Sequence, residues 1–406
     1  NHILFHPQNH SIRQFPHEIN KAIDFESNIL GEANTRSSKL RGLLQLFQEV
    51  RLTDAIGQLI DVGDLYNQLL YIFAEEAGKK INNVLAPTEV VSLITKLIDG
   101  NRKNACLCDP ASGSGTLLIE VGKKMGIRGT DIYGQEVNWN LYALTKMNLM
   151  LNGFKGATFL WGDSLRSPKL LDHGGLKKFD IVVSVPPFAD KWASEEAYDD
   201  FYRRFKYGIP PKSQVTWAYI SHILASLRND GQAVVVVPVG VLFRNTESKI
   251  REQIIEYNLL EAVIELPSNL FHGTAISTAI LVFRKERMRT QTLFVDARKG
   301  YISNKGLYKL SDKVLEQLPN IYKKFLIGEE VGGEKNGCPV YVATQDEIRH
   351  NKYDLKVIKY VEDKIERKEI DVKDALRKID ELEERLTYID KQFKDCAWRL
   401  RELTKE

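Results

Sequence analysis

Between about Pro87 and Lys285, short apolar runs alternate with longer segments whose apolar residues recur at helical spacing. Strands that are apolar throughout, and that are separated by helices, are typical of a parallel sheet covered on both faces. This alternation therefore predicts an α/β fold built on a Rossmann-like doubly wound sheet. The strand candidates are residues 105–108, 131–134, 180–185, 233–238, 259–266 and 278–283.

The two ends of the chain have helical patterns. From about residue 25 to residue 80, large apolar residues recur at the spacing of a helix's buried face. Near the C-terminus the apolar spacing alternates between three and four, which is the a/d repeat of a coiled coil. This repeat predicts an amphipathic helix that packs either on its own chain or on a partner, and its length favours a partner. Its apolar positions are Ile379, Leu382, Leu386, Ile389, Phe393, Cys396, Leu400 and Leu403.

These patterns predict four parts. They are an N-terminal helical domain over 1–85, an α/β domain over 86–290, an extension of that domain over 291–360, and a coiled-coil or partner-docking helix over 361–406.

Charge, cysteine spacing and the length of apolar runs limit the partners, metal sites and location that we expect for the chain. The net charge of +3 is compatible with a polyanionic partner but does not identify one. Cys106 and Cys108 have no second pair at zinc-site spacing, so we expect no metal, and unpaired cysteines suit a reducing cytoplasm. The first thirty residues lack a signal-peptide pattern, and no apolar run approaches the ~18 residues of a membrane span. We therefore expect a cytoplasmic protein with no membrane contact.

A glycine-bearing turn follows the first strand candidate, in the stretch Asp109-Pro-Ala-Ser-Gly-Ser-Gly. An acidic residue at a strand end, then a tight turn, then a helix places a ligand at the carboxyl edge of a sheet. Gly113 and Gly115 let the backbone turn sharply and approach that ligand closely. Such a turn can also serve only to join a strand to a helix.

Two further strand ends carry carboxylates. Glu136 follows the second strand candidate, where it could accept hydrogen bonds from both hydroxyls of a ribose, and Asp163 follows the apolar pair Phe159-Leu160. Because parallel strands end at one edge, the three acidic residues are expected to lie together. The pattern favours a nucleoside-like ligand over a set of purely structural turns.

These stretches resemble the first three motifs of the methyltransferases that act on adenine in DNA. Asp180-Ile-Val-Val-Ser-Val185-Pro-Pro-Phe188 resembles their catalytic Asn-Pro-Pro-Phe stretch. Later stretches, among them Pro238-Val-Gly-Val-Leu-Phe-Arg244 and Asn351-Lys-Tyr-Asp-Leu355, are similar to modification subunits of type I restriction–modification systems. The resemblance covers roughly residues 36 to 360. It implies S-adenosylmethionine as cofactor, bound by Asp109, Ser112, Gly113, Gly115, Glu136 and Asp163.

The resemblance also implies a reaction on a flipped adenine of double-stranded DNA. In the family, the Asn side chain and the first proline's carbonyl accept hydrogen bonds from the adenine amine, and the aromatic residue stacks on the base. Pro186, Pro187 and Phe188 are present here, whereas Val185 stands at the Asn position and has no acceptor. The alternative is that Val185 merely ends a buried strand and Phe188 is a core residue.

Two further departures from the family pattern occur. The stretch Val84-Leu-Ala-Pro87 replaces Phe-Tyr-Thr-Pro, and Thr216 occupies a position that is usually acidic. We therefore interpret the chain as a DNA-clamping subunit whose methyl transfer is impaired or lost and whose cofactor is bound weakly or not at all. The rival is an active adenine-specific methyltransferase. A small-molecule methyltransferase is disfavoured, because the Pro-Pro-Phe triplet and the helical arms are unneeded there.

The resemblance also predicts partners. A separate specificity subunit is expected, because no segment after the α/β region is large enough to be a sequence-reading domain. The resemblance to type I modification subunits implies that this subunit bundles with the C-terminal helix. Whether a second copy and a nuclease or translocase subunit also join stays open. A basic stretch with interleaved aromatic residues is either a solvated loop or a loop facing DNA phosphate. It comprises Lys191, Trp192, Arg203, Arg204, Lys206 and Lys212.

Overall fold

The computed structural model describes residues 62–77, 86–99, 104–188, 190–271, 276–304, 307–331, 338–361 and 372–403. The strands are β1 (Leu107–Asp109), β2 (Ile132–Glu136), β3 (Thr158–Trp161), β4 (Leu171–Asp172), β5 (Gly175–Leu176), β6 (Phe179–Ser184), β7 (Leu227–Pro238), β8 (Leu260–Glu265), β9 (Thr278–Arg284), β10 (Thr292–Asp296), β11 (Tyr301–Asn304), β12 (Leu307–Leu310) and β13 (Val340–Ala343). The helices are α1 (Val62–Ala77), α2 (Thr88–Leu97), α3 (Thr116–Met125), α4 (Trp139–Leu151), α5 (Val215–Ser226), α6 (Ser248–Glu256), α7 (Asp312–Ile327), α8 (Gln345–His350), α9 (Ile358–Val361) and α10 (Val372–Leu403).

Nine strands form one sheet in the order β13-β10-β8-β9-β7-β6-β1-β2-β3. The pairs β1–β2, β2–β3, β1–β6, β6–β7 and β8–β10 are parallel. The chain passes through helices between β1, β2 and β3, as parallel neighbours require. The predicted α/β class and its doubly wound sheet are confirmed.

The sheet also contains antiparallel strands that the alternation of patterns did not predict. β9 lies between β7 and β8 and is antiparallel to both, and β13 is antiparallel to β10. Residues 266–277 connect β8 to β9 without a described helix, and an antiparallel neighbour needs no helical crossover. Strands β10 and β13 were absent from the sequence-derived candidates, and of β3 only the apolar pair Phe159-Leu160 was singled out.

The central strands are buried on both faces. Val234 and Val236 of β7 belong to one apolar core, and Val235 and Val237 belong to a second core. All four side chains are fully buried. Because successive strand residues point to opposite faces, one valine run supplies both layers. Helices α2 and α3 contribute to the first core, and α5 and α6 contribute to the second.

The chain divides into two compact units, residues 1–361 and residues 362–406. Within the second unit, α10 is a helix of 32 residues. Its apolar repeat is exposed from Ile379 to Phe393, with 72% of the Phe393 side chain accessible. The side chains of Cys396, Leu400 and Leu403 lie outside the described part of the chain.

The predicted N-terminal helical domain over 1–85 is represented only by α1, and its remaining residues lie outside the described ones. Within the described ranges, no helix combines the length and the apolar character needed to cross a membrane.

Candidate active site

Three strand ends carry the predicted acidic residues. Asp109 is the last residue of β1, Glu136 is the last of β2, and Asp163 lies just beyond the end of β3. Because these strands are parallel neighbours, their carboxyl ends share one edge of the sheet. The hydroxyl of Ser164 donates to the carbonyl of Pro110 over 2.6 Å, which ties the third strand end to the first.

The loop between β1 and α3 has the backbone conformation that its glycines predict. Gly113 and Gly115 have φ angles of 56° and 75°, in the region that favours glycine. A Cβ on Gly115 would lie 2.4 Å from Cγ2 of Thr145. The Thr145 hydroxyl donates to the carbonyl of Gly113 over 2.7 Å, and the Asn148 amide donates to the carbonyl of Ser114 over 3.2 Å. Helix α4 therefore holds the loop in place.

Glu136 joins two turns through its carboxylate. Its Oε2 accepts from the backbone N–H of Gly113, and its Oε1 accepts from that of Asn138, each over 2.8 Å. Burial raises the pKa of Glu136, and these hydrogen bonds act in the opposite direction. Each carboxylate oxygen can accept a further hydrogen bond, so the residue can still accept from the hydroxyls of a sugar.

Asp109 is almost completely buried. Its Oδ1 accepts from the backbone N–H of Ala111 and from the hydroxyl of Ser184, both over 2.9 Å. The hydroxyl of Ser112 donates to the backbone carbonyl of Asp109 over 2.7 Å. Burial raises the pKa of Asp109 to about 7, although its two hydrogen bonds lower it. A positively charged ligand group would favour the ionised form.

The Val-Pro-Pro-Phe stretch begins where β6 ends. Val185 directly follows Ser184, which contacts Asp109, so this stretch lies beside the glycine-bearing loop. Val185 is half-buried and packs against the first apolar core. The ring of Phe188 is buried and contacts Phe271 edge to face, with centroids 5.6 Å apart.

Comparison with known proteins identifies the family. The model described as N-6 DNA Methylase matches residues 59–369. The chain is 31% identical to the type I restriction enzyme MpnII methylase subunit of Mycoplasma pneumoniae, over 91% of this chain and 68% of that protein. It is 32% identical to the MjaVIII methylase subunit of Methanocaldococcus jannaschii, over 84% of this chain and 59% of that protein. The chain belongs to the N-6 DNA methylase family.

Solved structures agree with this membership. The type I restriction-modification methyltransferase subunit from Streptococcus thermophilus superimposes with a TM-score of 0.73 at 27% identity, covering 84% of this chain and 72% of that one. The EcoKI M protein, with a TM-score of 0.54 at 20% identity, shares the fold and covers 68% of this chain and 66% of that one. The predicted resemblance to type I modification subunits is confirmed. This chain spans only 57–59% of the length of the three Methanocaldococcus jannaschii relatives.

Membership in this methylase family implies S-adenosylmethionine as the cofactor. The carboxyl edge of β1, β2 and β3 suits a nucleoside with a charged tail. The loop at Gly113 and Gly115 leaves no room for a side chain at the second glycine, and Glu136 offers acceptors for a ribose. Val84 and Leu85, which replace an aromatic pair of the family, lie outside the described residues.

The basic stretch after Phe188 divides into structural and surface residues. Arg204 is buried, forms a 2.7 Å ion pair with Asp200, and donates to the carbonyls of Ser164 and Leu165. It therefore joins its loop to the loop after β3 and does not face solvent. Lys212 is exposed and pairs with Glu195 over 2.9 Å. Lys191, Arg203 and Lys206 are exposed and stay candidates for phosphate contacts.

Three features of the site were not evident from the sequence. Phe271 packs on Phe188, the Thr216 hydroxyl contacts the carbonyl of Pro187 at 3.5 Å, and His222 lies beside Arg204. Burial, together with the positive charge of Arg204, lowers the pKa of His222 to about 3. The comparison with the family pattern singled out Thr216, but only the fold brings Thr216 and Phe271 against the Pro-Pro-Phe triplet. Within the described residues, no group of three or more His, Cys, Asp or Glu side chains is arranged to hold a metal ion.

Proposed function

We propose that this chain is the modification subunit of a type I restriction–modification-like assembly in which methyl transfer is impaired or lost and the protein clamps DNA. The observation that carries the proposal is Val185, which stands at the position of the catalytic Asn and follows Ser184, the hydrogen-bond partner of Asp109. Asp109, Ser112, Gly113, Gly115, Glu136 and Asp163 would hold S-adenosylmethionine, with Glu136 accepting from its ribose. When bound, the cofactor supplies an electrophilic methyl group.

The chemistry of adenine explains why Val185 matters. The lone pair of the exocyclic nitrogen is delocalised into the ring, so the amine needs two acceptors for its hydrogens before it can attack a methyl group. The carbonyl of Pro186 can supply one acceptor, and Val185 supplies none. Removing one well-placed polar group at a reacting centre commonly costs on the order of 10²–10³-fold in rate. An amine hydrogen placed against Val185 would also be an unsatisfied donor.

Partners follow from the same proposal. Double-stranded DNA would approach the carboxyl edge of the sheet, where Lys191, just beyond the Pro-Pro-Phe triplet, offers a cation for phosphate. Arg203 is a further exposed candidate, whereas Lys206 lies near Tyr257, Lys178 and Lys285, at the opposite edge. A separate specificity subunit would cover the exposed apolar repeat of α10, because a helix of this kind is marginal alone in water. A second copy of the chain and a nuclease or translocase subunit are further candidate partners.

The alternative function is an active adenine-specific DNA methyltransferase. It is favoured by Pro186, Pro187 and Phe188, which keep their place beside the glycine-bearing loop. On this alternative, another group would accept from the adenine amine in place of the Asn.

A matched pair of substitutions separates the two. Val185→Asn restores the acceptor, and Val185→Leu changes the side chain without adding one. We expect single-turnover methyl transfer by the complete assembly to rise at least ~10²-fold in the Asn variant and to stay unchanged in the Leu variant. Equal rates in the native and Asn assemblies, at the level of an active methyltransferase, would support the alternative.

A further inference from the structure

Two segments that resemble type I modification subunits contribute neither to the cofactor residues nor to the Pro-Pro-Phe triplet. They are residues 238–244 and 351–355. The backbone N–H of Leu355 donates to the carbonyl of Leu242 over 2.9 Å, so the two segments lie against each other. The first segment continues β7, which is parallel to β6. Both segments therefore lie at the edge of the sheet that carries the Pro-Pro-Phe triplet.

Arg251 of α6 fixes the two segments relative to each other. Only 2% of this residue is exposed. Its Nε donates to the carbonyl of Tyr353 over 2.9 Å, and its Nη1 donates to the carbonyls of Val241 and Arg244 over 3.2 and 2.8 Å. Because one buried guanidinium binds both backbones, the side chains on this surface project from a fixed support.

Phe243 and Lys356 form a pair on this surface. The side chain of Phe243 is 36% exposed, and Nζ of Lys356 lies 4.0 Å from the centroid of its ring. This is the shortest contact between a cationic side chain and an aromatic ring among the described residues. The ring face attracts a cation, whereas a lysine side chain alone is flexible. Phe243 therefore holds the ammonium group in place.

The ammonium group of Lys356 forms no ion pair within the described part of the chain. The carboxylates near it have other partners: Asp354 pairs with Lys359 over 2.8 Å, and Glu265 lies 3.9 Å from Arg298. Lys356 is thus a partly exposed cation whose charge can be neutralised by an anion from outside the chain.

Basic residues outnumber acidic ones on this surface. Residues 239–249 and 351–359 contain five basic and two acidic side chains, whereas residues 190–212, after the Pro-Pro-Phe triplet, contain five of each. One of the two acidic residues, Glu247, is fully buried, and burial raises its pKa to about 7. The excess of positive charge at this edge therefore lies around Lys356.

The position of Lys356 suits a DNA strand whose adenine enters the site. Burial raises the pKa of Glu265, the last residue of β8, and the charges of Arg298 and Lys356 oppose this, so Lys356 lies near the end of β8. In the sheet, β8 is three strands away from β6, or about 14 Å. One DNA strand advances about 3.4 Å per nucleotide, so this distance corresponds to about four nucleotides.

We propose that Lys356 binds a backbone phosphate of the DNA duplex, about four nucleotides from the adenine at the Pro-Pro-Phe triplet, and that Phe243 is a positioning residue for its ammonium group. This inference rests on the proposed DNA-clamping function but not on whether methyl transfer occurs. A phosphate contact is the same in every sequence, so it holds DNA without reading it. The competing occupant is a carboxylate-rich face of a protein partner.

The salt dependence of duplex binding by the complete assembly, without S-adenosylmethionine, tests the role of Lys356. Fluorescence anisotropy would measure the affinity for two labelled duplexes of unrelated sequence at several KCl concentrations. Lys356→Met should lower the slope of log affinity against log salt by about 0.9, the contribution of one phosphate contact, for both duplexes. The loss of affinity should be about eightfold larger at 0.1 M than at 1 M salt. Lys356→Arg keeps the charge and should keep the slope.

A double-mutant cycle tests the role of Phe243. Phe243→Leu, which keeps an apolar side chain without the ring, should weaken binding about two- to fivefold. In the Lys356→Met background it should have no effect, whereas a purely structural role would weaken binding equally in both backgrounds. Phe243→Tyr keeps the ring and should bind like the native protein.

The matched control is a lysine–aromatic pair at the opposite edge of the sheet, where Nζ of Lys206 lies 5.9 Å from the ring centroid of Tyr257. Lys206→Met and Tyr257→Leu should leave the slope unchanged. Equal slopes for Lys356→Met and the native assembly would overturn the phosphate contact alone, as would an equal loss in Lys206→Met. A native assembly that does not bind the duplex would contradict the clamping function as well. Loss of a protein partner from Lys356→Met, with DNA binding unchanged, would assign the surface to that partner and overturn the proposal.

Discussion

Replacing Asp109 with Asn should make the stability of the protein less dependent on pH. The carboxyl group is almost completely buried, and its pKa is raised to about 7 from an ordinary 3.8. In the unfolded chain it ionises near 3.8, whereas in the folded chain it stays protonated until about pH 7. The folded state therefore binds more protons in this interval, and the native protein loses stability as pH rises through it.

The magnitude follows from the two pKa values. One pKa unit corresponds to about 1.4 kcal/mol, so the full effect of Asp109 is roughly 4 kcal/mol above pH 7. Integrated between pH 5 and pH 8 alone, it is about 2.5 kcal/mol. In Asp109→Asn the amide oxygen can still accept from Ala111 and Ser184, as Oδ1 does in the native protein. The new amide N–H groups change the free energy of unfolding by the same amount at every pH. They therefore leave its slope against pH unchanged.

Urea unfolding at several pH values between 5 and 8 measures this difference. We expect the variant's free energy of unfolding to gain about 2.5 kcal/mol relative to the native protein across that range. Asp190→Asn, which removes an exposed carboxylate beyond the Pro-Pro-Phe triplet, is the control and should run parallel to the native curve. Parallel curves for Asp109→Asn and the native protein would contradict the claim that Asp109 stays protonated in the folded protein until about pH 7.

Two further predictions concern the glycine-bearing loop and α10. Gly115→Val should abolish binding of S-adenosylhomocysteine in a calorimetric titration, because its Cβ would lie 2.4 Å from Thr145 at a φ of 75°. Gly126→Ala, where φ is also positive but the space is open, should leave binding intact; binding by both variants would contradict this. Replacing Leu386 and Phe393 of α10 with Asp should abolish co-purification with the specificity subunit while residues 62–361 stay folded. A double variant that remains in the complex, or that unfolds globally, would show that α10 belongs to the core of its own chain.

The acidic ends of the strands were predictable because two local signals agree. Asp109, Glu136 and Asp163 each follow an apolar run, and helical patterns between the runs require parallel strands. Parallel strands end at one edge, so sequence order alone brings the three residues together. The structure adds Val185 to them, because β6 is the other neighbour of β1, an order that the sequence did not predict.

The remaining features depend on contacts between distant residues. The position of β9 between β7 and β8 depends on pairing with these two strands. The apolar run of β9 does not indicate whether the strand is parallel or antiparallel to its neighbours. In the sequence, Arg204 is one residue of a basic stretch. In the structure, its side chain is buried and forms an ion pair with Asp200. Likewise, the contact between Phe188 and Phe271 joins two loops that are 83 positions apart in the sequence. Burial of this kind is a property of the packed chain and leaves no local pattern.

The most direct test of the central claim is the amount of methyladenine in DNA treated with the native complete assembly and S-adenosylmethionine. Mass spectrometry of the digested DNA would quantify it, with the Val185→Asn assembly as the positive control. Because Val185 offers the adenine amine no acceptor, we predict methyladenine at least ~10²-fold below the control. Methyladenine from the native assembly at the level of the Asn variant would contradict the account.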